Sequence, residues 1–234
     1  LSIGMTNEEW EKNRITFSEK YKNDLPLMES LVQQELKFKN GKPLVSIIMP
    51  VYNYGKTLDR ALMSVFSQTY KNIEIIIIDD GSTDEFTLLK LKKLNLPNTK
   101  VIFQKNGGPS NARNNGIKAS KGEYILPLDS DDLIHPIYVE SCIKLIERDK
   151  KYSPIYCDTV HEGQMRGLEQ RPEWSKERLI EGSFIVNCSM FSREAFDMVD
   201  GYDENLKGWE DYDMWLRMMQ KGYVGKRIPQ ALFV

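Results

Sequence analysis

The stretch Leu44-Val45-Ser46-Ile47-Ile48-Met49 decides the fold class of this chain. It is almost continuously apolar, which is typical of a strand in a parallel sheet that is covered on both faces. After it, apolar residues recur at helical spacing, at Leu58, Ala61, Leu62, Val65 and Phe66. A second apolar run then follows at Ile73–Ile78. We therefore predict a strand–helix–strand unit at the start of a parallel sheet.

The alternation of strands and helices continues along the chain. We predict helices over residues 87–94, 109–120, 137–148 and 211–221, and strands over residues 100–104, 123–128 and 154–157. The polar residues 161–176 are expected to form a mobile loop, and residues 183–191 have a strand-like pattern. This order indicates an α/β protein with a Rossmann-like, mostly parallel sheet flanked by helices.

The first 40 or so residues differ from the rest. Residues 5–39 are rich in Glu, Lys and Asn, with apolar residues only at intervals, which predicts one or two helices. Asn40-Gly41-Lys42-Pro43 ends that pattern. We expect residues 1–42 to form a helical N-terminal extension or linker. The chain ends within an apolar run, Leu232-Phe233-Val234, so we expect a longer protein that is cut off here.

Composition narrows the class of protein. The 234 residues are 41% hydrophobic, enough for a sizeable core, and the net charge of -2 gives no footprint for nucleic acid. No apolar run approaches the roughly 20 residues that span a bilayer. Cys142, Cys157 and Cys188 are far apart, which favours reduced, buried thiols and a cytoplasmic location. An association with the inner face of a membrane, through parts of the protein beyond this chain, is left open.

The loops that follow the predicted strands are expected to meet. Ligands of such sheets bind beyond the carboxyl ends of the strands. That rule brings four loops together, at residues 50–55, 79–84, 106–113 and 129–132.

The acidic stretch Asp129-Ser130-Asp131-Asp132 is the most informative of these loops. Three carboxylates within four residues repel one another unless a cation or solvent offsets their charge. Oxygen ligands suit Mg²⁺ or Mn²⁺, and such ions often bridge a carboxylate to a substrate diphosphate. The alternative is a solvated acidic turn that caps the following helix.

The first two loops carry residues that suit a nucleotide. After the second strand, the carboxylates of Asp79–Asp84 can accept hydrogen bonds from a base or a ribose, or they can simply cap a helix after a turn at Gly81. After the first strand, Tyr52 could stack on a base and Asn53 could bond its edge, although both are ordinary loop residues.

Two helix starts carry further candidates. Asn106–Asn114 is a glycine-bearing loop that enters a helix, where backbone donors and Arg113 attract phosphate, or where the loop is only a tight turn with a cap. Glu210 and Asp211 begin the last helix. They either complement its dipole or place a carboxylate to take a proton from a sugar hydroxyl.

In this order, the segments resemble family 2 glycosyltransferases with the GT-A fold. The resemblance rests on Val45–Asn53, Ser67–Tyr70, Glu74–Asp84, Ala112–Ile117, Gly122–Ile125, Asp129–Asp132, Gly201–Glu204 and Trp209–Arg217. It extends from about Pro43 to Val234, so residues 43–234 are expected to be a GT-A catalytic domain. Each segment is weak alone, but the ordered set is specific.

The resemblance implies transfer of a sugar from a nucleotide-activated donor, usually a UDP-sugar, with inversion at the anomeric carbon. The residues implied to contact the nucleotide sugar or to support its loops are Pro50, Tyr52, Asn53, Asp80, Gly108, Arg113, Asp129 and Ser130. Asp131 is implied as the principal ligand of Mn²⁺ or Mg²⁺, with Asp132 nearby. Asp211 would be the general base, and Glu210 would position the acceptor or share that role.

The expected acceptor is a hydroxyl of a glycan, lipid-linked or protein-linked acceptor, bound near residues 161–176 and Trp209. Many relatives carry a His shortly after the point where this chain stops, sometimes as a metal ligand. His135 and His161 do not occupy that position, so no histidine is assigned to the metal. Two alternatives stay open: a non-catalytic nucleotide-sugar binding module, and a nucleotidyltransferase. Against the second, Pro50-Val51-Tyr52-Asn53 stands where such enzymes carry a glycine-rich loop with Arg and Lys.

Overall fold

A computed structural model describes residues 41–162 and 166–234. Residues 1–40, and with them nearly all of the predicted helical extension, lie outside the described residues. The described strands are β1 (Val45–Val51), β2 (Ile73–Asp79), β3 (Thr99–Phe103), β4 (Tyr124–Pro127), β5 (Tyr152–His161), β6 (Gly167–Glu169), β7 (Phe191–Ser192) and β8 (Val224–Phe233). The described helices are α1 (Leu58–Phe66), α2 (Glu85–Lys93), α3 (Pro109–Ala119), α4 (Tyr138–Ile146), α5 (Lys176–Glu181), α6 (Arg193–Met198) and α7 (Glu210–Gln220).

The main sheet has the strand order β3-β2-β1-β4-β7. The first four strands are parallel, with Ile47 opposite Ile75 on one side and Leu126 on the other, and β7 runs antiparallel to β4. The side chains of β1 are buried on both faces because helices cover the sheet on both sides. This confirms the predicted α/β fold with a mostly parallel sheet.

The structure corrects three predictions over residues 154–191, and the first two corrections come from a smaller sheet of order β6-β5-β8. The strand predicted over residues 154–157 extends over Tyr152–His161. The predicted loop 161–176 contains β6, which is exposed at every residue and therefore lacks an apolar signal. Of the strand-like residues 183–191, only the last belongs to a strand, because Ser189 turns back to bond the carbonyls of Val186 and Asn187.

Helix α3 lies unusually close to the main sheet at Gly116. A Cβ atom there would lie 2.4 Å from Ile78 Cδ1 and 2.7 Å from Ile48 Cγ2, so only glycine permits this approach. Helix α7 reaches the same core through Trp215, whose ring meets Phe191 edge-on at 5.7 Å. These packing contacts therefore fix the positions of α3 and α7 relative to the main sheet.

Two predictions from the composition concern the cysteines and the absence of a membrane-spanning segment. Cys142, Cys157 and Cys188 are buried and unpaired, as predicted. Within residues 41–162 and 166–234, no helix is both long and apolar enough to cross a membrane.

Candidate active site

A cavity of about 440 Å³ opens at the carboxyl ends of β1, β2 and β4. All four predicted loops contribute to it, as the rule for parallel sheets requires. Its lining includes Pro50, Tyr52, Tyr54, Asp80, Asn106, Gly108, Arg113, Asp129, Ser130 and Asp131. The structure therefore brings seven of the eight predicted nucleotide-sugar residues to one cavity, together with Asp131.

The eighth residue, Asn53, does not line the cavity but holds two of its loops together. Its backbone is left-handed, with φ 61°. Its side-chain Oδ1 accepts hydrogen bonds from the backbone N–H groups of Thr83 (2.8 Å) and Asp84 (2.9 Å). The amide is thus engaged by protein backbone, which matches a loop-supporting role better than a bond to a base edge.

Two tyrosines stand at the cavity rim. Tyr52 is 47% exposed and Tyr54 is 51% exposed, so part of each side chain is accessible to a ligand. The sequence analysis singled out Tyr52 but missed Tyr54. The available signal was a second aromatic residue two positions after the first, in the same strand-end loop.

Asp80 anchors the glycine loop. Its buried carboxylate accepts hydrogen bonds from the N–H groups of Gly107 (2.8 Å) and Gly108 (2.9 Å) and from the Gln104 side chain (2.8 Å). In the loop after β2, to which Asp80 belongs, Asp84 caps α2 by accepting from Thr87 N at 2.8 Å, so the cap interpretation holds for Asp84.

The start of α3 has few backbone donors left for a phosphate. The N–H groups of Gly107 and Gly108 are used by Asp80, and Pro109, at the first helical position, has none. Gly108 has φ 86°, a conformation that favours glycine, and no atom would lie within 4 Å of an added Cβ. Gly108 therefore keeps this side of the cavity open.

Arg113 is buried and paired with two carboxylates. Its Nη2 donates to both oxygens of Asp129, at 2.9 and 3.1 Å, and its Nη1 donates to Glu210 Oε1 at 2.8 Å. The guanidinium also lies 5.7 Å from the centre of the Tyr202 ring. Burial alone would lower the pKa of Arg113, but the charge of Asp129 and the other contacts raise it above the usual value.

The acidic loop is a turn, and the helix-cap alternative is wrong. Asp132 N donates to Asp129 O at 3.1 Å, and the next helix begins only at Tyr138, after Ile137. Burial, followed by the charges of Asp129 and Asp131, raises the pKa of Asp132 to about 8. Burial also raises the pKa of Asp131.

No group of three or more His, Cys, Asp or Glu side chains in the described ranges is arranged to hold a metal ion. Asp131 and Asp132 alone do not complete a coordination shell. Mg²⁺, however, is commonly held by one or two carboxylates together with substrate phosphates and water. Two crowded carboxylates with raised pKa values fit that kind of incomplete site.

A second cavity, of about 610 Å³, is also lined by residues of the acidic turn. Asp131 lines both cavities, whereas Asp132 lines only this one. His161, at its edge, bonds Glu169 at 2.7 Å.

The first turn of α7 carries the remaining predicted residues. Glu210 bonds Arg113, and Asp211 accepts a hydrogen bond from the N–H of Tyr212 at 2.8 Å. Burial is the main cause that raises the pKa of Asp211. Trp209 precedes them with φ 61° and is 71% exposed. The turn thus offers a half-buried carboxylate beside an open aromatic ring.

The segment leading to α7 is tied to α3 by residues that the sequence analysis did not single out. Asn114 Nδ2 donates to Tyr202 O and Glu204 Oε1, both at 2.9 Å, and Tyr202 N donates to Asn114 Oδ1 at 3.0 Å. The partners are 88 and 90 positions apart in sequence, so no local pattern could have paired them.

The cavity and the carboxylates around it define the class of protein: an α/β enzyme with the GT-A fold, whose ligand site lies where parallel sheets bind nucleotides. The family model described as Glycosyl transferase family 2 matches residues 46–199. The chain therefore belongs to glycosyl transferase family 2 and is a glycosyltransferase, which confirms the predicted resemblance. A second model, described as the N-terminal domain of galactosyltransferase, matches residues 178–232.

Among curated proteins, the chain is similar to two named polysaccharide synthases. It is 34% identical over 208 residues to the hyaluronan synthase of Pasteurella multocida, covering 86% of this chain and 21% of that protein. It is 33% identical over 185 residues to the chondroitin synthase of Escherichia coli, covering 77% of this chain and 27% of that protein. The chain thus spans about a quarter or less of the length of these relatives.

Among solved structures, the chain is similar to S. aureus TarS 1-349 in complex with UDP-GlcNAc. The TM-score is 0.65 and the identity 26%, with 81% of this chain and 57% of the TarS chain covered. The complex of the same protein with UDP has a TM-score of 0.65 and 25% identity, over 81% of this chain and 59% of that chain.

Proposed function

We propose that this domain transfers a sugar from a UDP-sugar to a hydroxyl of a glycan, lipid-linked or protein-linked acceptor, with inversion at the anomeric carbon. The observation that carries the proposal is the meeting of three groups around one cavity. These are the open Tyr52 ring, the acidic turn with Asp131, and the first turn of α7, where Arg113 joins Glu210 to Asp129.

The donor would lie in the cavity of about 440 Å³. Tyr52 would stack on the base, and Asp80 would accept a hydrogen bond from it, next to Pro50 and the loop that Asn53 supports. Asp129 and Ser130 would lie near the ribose or the donor sugar, and Gly108 would leave room for the diphosphate. The TarS complexes with UDP and UDP-GlcNAc support this choice of donor, since TarS resembles this chain over the same fold.

Asp131, with Asp132 in support, would hold Mn²⁺ or Mg²⁺. The fit rests on charge: the pKa of Asp132 is raised to about 8 by burial and by two neighbouring carboxylates, so a cation would stabilise its ionised form. When bound, such an ion neutralises negative charge that develops on a departing diphosphate.

Asp211 would act as the general base. Its carboxylate would take the proton of the acceptor hydroxyl while the acceptor oxygen forms a bond to the anomeric carbon. The bond from that carbon to the diphosphate oxygen breaks, and UDP leaves with its electron pair. Attack from the face opposite the leaving group inverts the anomeric centre. Glu210 would position the acceptor, and the exposed Trp209 ring offers a flat face for a sugar ring.

The proposal is tested by incubating the full chain with a panel of UDP-sugars, glycan acceptors and Mn²⁺ while UDP release is measured. Release of UDP with an α-linked donor, together with a β-linked product, is the expected result. Binding of UDP-sugars without UDP release would favour the non-catalytic module. Production of pyrophosphate from UTP and a sugar phosphate would favour the nucleotidyltransferase.

A further inference from the structure

Arg113 joins two parts of the candidate site that are far apart in sequence. Asp129 belongs to the acidic turn after β4, and Glu210 opens α7. The guanidinium stands between them, with Nη2 on Asp129 and Nη1 on Glu210, at distances of 2.8 to 3.1 Å. One planar side chain therefore spans the donor side and the side of the proposed base.

The bridge that Arg113 forms between Asp129 and Glu210 is buried, and the nitrogens of its guanidinium already have partners. The Arg113 side chain is only 5% exposed. When the Asn187 amide is turned so that its oxygen faces the guanidinium, it accepts from Nη2 at 3.0 Å and from Nε at 3.3 Å. All three guanidinium nitrogens then have a protein partner. A buried, forked cation of this kind fixes the geometry of its partners more strictly than a surface pair does.

Neighbouring residues of α3 support the same connection. Asn111 and Asn114 bond the two oxygens of Glu204, at 2.8 and 2.9 Å. Asn114 accepts a hydrogen bond from the backbone N–H of Tyr202, and the Tyr202 ring lies against the guanidinium of Arg113. Helix α3 thus holds Tyr202, Glu204 and Glu210 of the segment that leads into α7, and of the α3 residues that make these contacts Arg113 lines the cavity.

We infer that Arg113 is a positioning residue, which sets the distance between donor-contacting Asp129 and the Glu210–Asp211 turn. This inference rests on the proposed function. It takes the place of the phosphate contact that the sequence analysis offered as one of two alternatives for Arg113, because each guanidinium nitrogen already has a protein partner once the Asn187 amide is turned. Loss of the bridge should therefore misplace the base relative to the donor while leaving the nucleotide pocket largely formed.

The test compares Arg113→Met and Arg113→Lys with the unmodified full chain. A displacement of about 1 Å in a catalytic group can cost about 100-fold in rate, so we expect kcat of Arg113→Met to fall by about that factor. The Kd for UDP should change by less than about threefold, since the guanidinium is held by Asp129 and Glu210 rather than reserved for a phosphate. Arg113→Lys should recover part of kcat, because an ammonium can reach only one carboxylate at a time.

Arg193→Met is the matched control. Arg193 bonds Ile117 O in the last turn of α3 and, just after the helix, Ser120 Oγ and Gly122 O, and it does not line the cavity. We expect its kcat to stay near that of the unmodified chain at temperatures well below unfolding. A UDP Kd that rises tenfold or more in Arg113→Met, with kcat retained at saturating donor, would overturn the inference in favour of a phosphate ligand.

A measurement that needs no substrate separates this inference from the proposed function. Amide hydrogen exchange over residues 203–213 should become at least about tenfold faster in Arg113→Met than in Arg193→Met. Glu210→Gln offers a milder variant that removes one charge of the bridge, and its effects on exchange and kcat should be non-additive with those of Arg113→Met. Unchanged exchange in both Arg113→Met and Glu210→Gln would refute the bridge, whereas normal bridging without any UDP release would refute only the proposed function.

Discussion

The strand-end loops and the first turn of α7 are held in different ways. The loops around the proposed nucleotide pocket brace one another with several hydrogen bonds, from Asn53 to the 83–84 backbone and from Asp80 to Gly107 and Gly108. The α7 turn is joined to the acidic turn through one side chain, Arg113. This difference suggests that nucleotide binding should tolerate a single lost contact better than catalysis does.

The largest expected effect is at the α7 turn. Asp211→Asn removes the proposed base while keeping its shape, so we expect kcat to fall by about 1000-fold. UDP affinity should be unchanged, because the substitution leaves the strand-end loops intact. Steady-state kinetics and calorimetry measure the two quantities. Asp213→Asn is the control, since Asp213 lies in the same turn but pairs with Arg217, and an equal loss of kcat there would argue against a specific role for Asp211.

The next effect concerns the acidic turn. With Mn²⁺ and UDP at about 100 times its Kd, binding should add about 2.7 kcal/mol to the free energy of unfolding. Removal of the metal by a chelator, or Asp131→Ala, should abolish most of that gain. Thermal unfolding with UDP, with and without Mn²⁺, checks this. The exposed Asp197 provides a control: Asp197→Ala should keep the full Mn²⁺-dependent gain, and Asp131→Ala that also keeps it would exclude Asp131 as a metal ligand.

The pH dependence should report the burial of the base. Burial raises the pKa of Asp211, and a general base works only when deprotonated. The acidic limb of kcat/KM should therefore lie above the usual range of an aspartate, with activity lost as the pH falls through that raised pKa. Below the limb, the rate should drop about tenfold per pH unit. A limb that stays in place in Asp211→Glu or Asp211→Asn would assign it to another group.

The smallest effect is expected among the braced loops. Asn53→Gly loses the two amide contacts to backbone N–H groups, and we expect a loss of about 1–3 kcal/mol in the free energy of unfolding. Asn53→Ala should lose about 1 kcal/mol more, because alanine is strained at a φ of 61°. Urea unfolding compares the two. UDP binding that disappears in Asn53→Gly, at temperatures where the protein is folded, would contradict the idea that these loops brace one another.

The sequence was most informative about features that depend on neighbouring residues along the chain. The apolar runs of β1 and β2 predicted the parallel sheet, and the rule for strand ends then gathered the residues of the cavity. It was least informative about β6, whose exposed residues carry no periodic signal. The partners of Arg113 lie 16 and 97 positions away, so its role follows from the packing of α3 and could not be read from spacing.

Gly116 has a practical consequence for anyone who screens random substitutions in this domain. It lies one helical turn after Arg113, on the side of α3 that touches Ile48 and Ile78, and it is not among the residues around the cavity. A larger residue there would push the helix outward and carry the guanidinium with it. Such a variant would lose turnover because the helix, and with it Arg113, is displaced. A screen that considers only the residues lining the cavity would attribute this loss of activity to misfolding.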